Sequence, residues 1–199
     1  RTPLASIIAA LDLLRDGAAP QGADAASSFV GVALANAQRL ARVVEQWLDV
    51  ERIDLGVAAI HRESFAPRAV LAAALAESAA FAEERGVRLE SADHAGALQA
   101  SSDPQRLKQA LTHLVLNAVE RSPHGTAVRL QATADANGLA FVVEDEGAET
   151  FSSLDLGLSI AKAIVERLGG TLSYGSREDA CGAVVRIELP HAAPAGTDR

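Results

Sequence analysis

The sequence predicts an α+β protein: a helical hairpin that pairs into a dimeric four-helix bundle, followed by an α/β sandwich. Three observations predict it. Residues Phe29, Ala33, Asn36, Leu40, Val43, Trp47 and Val50 step in alternating fours and threes, the seam of a heptad helix. After residue 58 the pattern changes to short alternating runs interleaved with helical ones. Asp, Pro and Gly then stand where helices and strands of such a layered domain should start and stop. The expected divisions are 1–56 for the hairpin, 57–190 for the sandwich and 191–199 for a disordered Ala/Pro/Gly-rich tail.

The first helix spans residues 1–16, with Leu4, Ile7, Leu11 and Leu14 on one face. The breaker cluster Gly17-Ala18-Ala19-Pro20-Gln21-Gly22 ends it in a loop. The heptad helix runs from about Ala25 to Asp54, and Gly56 stops it. A two-helix hairpin cannot cover its own apolar stripe. A second copy would cover it as a four-helix bundle, and packing on the following domain is the alternative. Trp47 reads as a bundle core residue.

The second part opens with a strand over 59–64, an alanine-rich helix over 67–85 and a short strand over 87–90. Asp103 as N-cap and Pro104 in the first turn start a helix that Ser122-Pro123 stops after Arg121. Strands over 127–132 and 139–144 flank Asn137-Gly138, a hairpin turn signal. A helix over 156–168 ends at Gly169-Gly170, and strands over 171–174 and 183–189 complete the sheet.

Composition excludes several classes. A formal charge of −8 argues against nucleic-acid partners and against anionic membrane surfaces. No run of about 20 apolar residues exists to span a bilayer, and no signal peptide is expected within these residues, although the parent protein could carry a membrane anchor upstream. The single cysteine, Cys181, forms no intrachain disulfide, which favours a reducing, cytoplasmic setting. It sits in an apolar run and is expected in the core. His61, His94, His113, His124 and His191 lack metal-ligand spacing. The chain contains no methionine and starts inside a helical pattern, so it is expected to be a piece of a longer protein.

Four short motifs stand in a fixed order: Arg1-Thr2-Pro3-Leu4, Leu114-Val115-Leu116-Asn117-Ala118, Val143-Glu144-Asp145-Glu146-Gly147, and Leu156-Gly157-Leu158-Ser159-Ile160-Ala161-Lys162. Together they resemble the catalytic half of a bacterial sensor histidine kinase. That resemblance covers nearly all of residues 1–190. It implies a sandwich of the histidine kinase ATPase type, with ATP and Mg²⁺ as cofactors. It further implies a homodimer and, as partner, a response regulator receiver domain. Asn117 would supply a neutral amide oxygen to Mg²⁺, a hard ion that keeps most of its waters. Asp145 would accept a hydrogen bond from the adenine amino group, with Gly147 letting the backbone come close. Gly157 and Leu158 would open the helix whose free N–H groups hold phosphates. The family's acceptor histidine would lie three residues before Arg1, sharing a helix face with Thr2. Thr2 is therefore either a phosphatase residue or an ordinary helix residue bonding back to a carbonyl.

The motifs also depart from the family pattern. His113 stands where an Asn is common, Glu120 where a Lys is frequent and Arg121 where an aromatic is frequent. Glu149 replaces the second glycine of the adenine motif. The run Ser153-Leu154-Asp155-Leu156-Gly157-Leu158 retains one glycine of three, and Asp155 is placed to cap the helix where a phosphate should sit. Nine residues separate Gly147 from Gly157, too few for a closing lid. Degeneration, engineering or an omitted segment would each produce that shortness. The expected function is thus a two-component kinase core, with autophosphorylation on histidine and transfer to a response regulator. The alternative is a non-catalytic, dimeric docking module or phosphatase. Other ATPases of the same nucleotide fold lack the preceding hairpin.

Overall fold

The computed structural model describes residues 2–15, 30–31, 33–34, 37, 60–96, 99–135, 138–147, 156–177 and 181–190. The chain divides into two compact units, Arg1–Arg52 and Ile53–Arg199.

In the first unit, helix α1 (Thr2–Arg15) follows the spacing of its apolar residues. Ala10 is buried, whereas Ile8 and Leu11 are each 51% exposed, an apolar surface left open in the single chain. Residues 30, 31, 33, 34 and 37 are helical. Ala33, a seam position, is buried, while Val30 and Leu34 beside it are exposed. The other seam positions, Trp47 among them, lie outside the described residues, as do the breaker loop and the tail.

The second unit begins with β1 (Glu63–Phe65), α2 (Pro67–Arg85), β2 (Arg88–Asp93), β3 (Ala100–Ser102) and α3 (Pro104–Arg121). It continues with β4 (Ala127–Asp135), β5 (Gly138–Glu144), α4 (Leu156–Arg167), β6 (Thr171–Ser176) and β7 (Ala183–Pro190). Five strands form one sheet in the order β2-β4-β5-β7-β6. The pair β2–β4 is parallel and the other pairs are antiparallel. A separate antiparallel ribbon joins β1 to β3. Strand alternation gives the sheet a buried and an open face. Along the buried face Leu130, Val143 and Val185 align in register, as do Ala132, Phe141 and Ile187. Arg129 pairs with Glu144 on the open side.

Helix α3 is the centre of the helical layer. It packs against α2 on one side and α4 on the other, and it touches β4 and β5. Leu107, Leu111, Val115 and Val119 are fully buried along it, as are Ile160, Ile164 and Val165 of α4. Each such side chain contributes roughly 1.5–3 kcal/mol by leaving water. The cap predicted for α3 is present: the Arg106 N–H donates to Asp103 Oδ1 at 3.0 Å.

Several expectations need correction. The strand expected over 59–64 is not one at residues 60–62; β1 starts only at Glu63. The reason is a long-range bond: the His61 N–H donates to Asp103 Oδ2 at 3.1 Å instead of to a strand partner. Strand β3 was not foreseen, because three residues carry no usable period. Strand β2 runs on to Asp93, since its parallel pairing with β4 continues to Ala132. Cys181 is exposed rather than in the core. It lies in the bend before β7, and Ala183 is the first residue of that strand to turn inward.

Candidate functional site

Three of the four motifs meet at the last two turns of α3. Asn117 and Arg121 are four residues apart and therefore share a face of that helix. Gly157, in the first turn of α4, lies flat against the Asn117 side chain. A Cβ on Gly157 would stand 2.7 Å from Asn117 Oδ1 and 2.8 Å from its Cγ. Gly147 lies one turn further along: a Cβ there would stand 2.7 Å from the Arg121 carbonyl oxygen. Both motif glycines are thus places where backbone approaches α3 closely.

Asp145 follows the end of β5 and is 2% exposed. Its Oδ1 accepts from the Gly147 N–H at 2.9 Å and the Ala183 N–H at 3.2 Å. Its own N–H donates to the Ala183 carbonyl at 3.0 Å. Its Oδ2 accepts from Arg121 Nη2 at 2.7 Å, a charge-assisted bond in a site where Arg121 is only 19% exposed. Two backbone donors therefore fix the carboxylate in place, and a cation of the same chain takes its outward oxygen.

Gly182 completes the corner. Its φ is +140°, and a Cβ on it would run into the Asp145 carbonyl oxygen. No other residue combines that backbone with that clearance. Sequence reasoning missed Gly182, although an isolated glycine directly before an alternating strand is a signal of close backbone approach. It noted Arg121 as a departure without finding its partner.

The remaining candidates stand as follows. Leu158 is buried beside Gly157. Asn117 and Glu120 are half-buried on α3, and His113 is buried one turn before Asn117. Thr2 is the first residue of α1, in the other compact unit, and its side chain lies outside the described residues. Asp155 and Glu149 also lie outside them.

The donor set fits a magnesium-bound phosphate chain only in part. Asn117 offers a neutral oxygen, and Gly157 brings the start of a helix to it. At the other end the fit is contested. Asp145 Oδ2 already accepts from Arg121 Nη2, so a purine amino group would have to share or displace that bond. Among the described residues no helix is long and apolar enough to cross a membrane.

Known proteins resemble this chain in sequence and in fold. Residues 1–56 match the His Kinase A (phospho-acceptor) domain, and residues 102–193 match the histidine kinase-, DNA gyrase B- and HSP90-like ATPase. The sensor protein DivL of Caulobacter vibrioides is 31% identical over 210 residues, covering 96% of this chain and 26% of DivL. The chain spans between 26% and 42% of the length of three curated relatives, DivL among them. Among solved structures, the histidine kinase AdeS of Acinetobacter baumannii matches at a TM-score of 0.71 and 20% identity, covering 97% of each chain. The histidine kinase ThkA, in complex with the response regulator protein TrrA, matches at 0.74 and 18%, covering 96% of this chain and 58% of that one. The sandwich is of the histidine kinase ATPase type, and the chain belongs to the histidine kinase family.

Proposed function

We propose that this chain is the signalling core of a two-component sensor kinase. In this reading the hairpin of residues 1–56 dimerises as a four-helix bundle, and residues 57–190 form the ATP-binding domain. The partner is a response regulator receiver domain docked on the bundle near Thr2, and the setting is cytoplasmic. Asn117 would hold Mg²⁺, Gly157 and Leu158 would bring helix N–H groups to the phosphates, and Asp145 with Gly147 would receive the base. ATP, when bound, supplies the phosphoryl group that the parent protein moves to histidine and then to aspartate. The chain's own contribution is to position and to neutralise charge.

The convergence of Asn117, Asp145, Gly147 and Gly157 on two turns of α3 carries this reading. Calorimetry with Mg-ATP tests it. Binding that Asn117→Ala weakens at least tenfold supports it, and binding indifferent to Asn117→Ala and Asp145→Asn overturns it.

The Arg121–Asp145 pair favours a second reading, a docking module or phosphatase in which nucleotide turnover plays no part. The exposed Ile8 and Leu11 are compatible with both, since either needs a dimer. Absence of heat up to millimolar Mg-ATP, with Thr2-dependent loss of phosphate from a phosphorylated receiver domain, would select it. Dephosphorylation unchanged in Thr2→Ala removes the phosphatase half.

A further inference from the structure

We infer that Arg121 is an internal occupant of the base site: its guanidinium takes the carboxylate oxygen that a purine amino group needs, and so sets nucleotide affinity. The inference rests on the proposed role of Asp145 as the base-reading carboxylate. Asp145 Oδ1 is committed to two backbone N–H groups, so the side chain cannot rotate to offer a second free oxygen. Oδ2 is the only one of the two oxygens held by a side chain, at 2.7 Å from Arg121 Nη2. An adenine amino group is a neutral donor, and a neutral donor competes poorly with a charged one for a carboxylate in a water-poor site.

The position of Arg121 makes the occupancy a built one. Its backbone is wedged against Gly147, so the root of the side chain cannot retreat. It is the last residue of α3, where the helix dipole favours a cation. At 19% exposure the side chain reaches solvent, so the guanidinium alone can swing out. The Arg121 guanidinium therefore competes with adenine for Oδ2, and the carboxylate is most available when this one side chain leaves.

The test is calorimetric titration of the full chain with magnesium and a non-hydrolysable ATP analogue. Arg121→Tyr is expected to bind at least tenfold more tightly than the unaltered chain. Adding Asp145→Asn to Arg121→Tyr is expected to erase that gain. Arg121→Gln replaces the cation with a shorter, neutral donor and should give an intermediate gain, which serves if Arg121→Tyr fails to fold by circular dichroism. Folded variants within twofold of the unaltered chain overturn the inference. If Asn117→Ala still weakens binding in that case, the nucleotide reading survives without the occupant. Affinity insensitive to both Asn117→Ala and Asp145→Asn in every background sinks the base-site reading, and the inference with it.

Discussion

The two ends of α3 each meet a buried aspartate, and the two carboxylates are satisfied in different ways. At the N-terminal end Asp103, 4% exposed, accepts among the described residues from backbone donors, the N–H groups of Arg106 and His61. At the C-terminal end Asp145 accepts from two backbone N–H groups and from the Arg121 side chain. Backbone donors cannot leave without unfolding the segment they belong to. A side-chain donor can. Burial thus looks alike at the two ends, yet among the described residues only the Asp145 end holds a side-chain bond that a ligand could exchange.

Four substitutions break or sharpen this contrast, each read by urea denaturation followed by circular dichroism. Asp145→Ala strands a buried guanidinium and two N–H groups, and should destabilise by about 3–5 kcal/mol. Gly182→Ala forces a side chain into the Asp145 carbonyl from a disfavoured backbone, with an expected cost of about 2–3 kcal/mol. Asp103→Ala loses a cap and one further backbone bond, for about 1–2 kcal/mol. An Asp103 effect equal to the Asp145 effect would erase the distinction between the two ends. The smallest effect belongs to the half-exposed pair of Lys108 Nζ with Glu77 Oε2, 2.9 Å apart beside the first turns of α3. Glu77→Ala should cost about 0.2–1 kcal/mol, and the difference should shrink in molar salt.

Much of the fold was legible because it rests on local signals. Helix α2 begins at Pro67 and ends at Arg85 where the breakers stand, and α3 runs from Pro104 to Arg121 as its cap and stop imply. What escaped was non-local. The β1–β3 ribbon exists because two three-residue segments, far apart in the chain, find each other. Cys181 belongs to an apolar stretch, but the bend at Gly182 resets which residue faces inward. The candidate site was legible in its motif residues, because Asn117, Asp145 and Gly157 carry their chemistry in their type. The Arg121 contact was not. It depends on the end of β5 lying near enough to the end of α3 for Arg121 Nη2 to come within 2.7 Å of Asp145 Oδ2, an approach no spacing in the sequence encodes.

The same helix has a mechanical meaning. Eighteen residues make a rod of about 27 Å. One tip is tied through Asp103 to the His61 N–H, near the start of β1. The other tip carries the guanidinium that guards Asp145. A stiff strut fixes the spacing of its tips, so the Asp103 cap and the Arg121–Asp145 pair stay one helix length apart for as long as the rod holds.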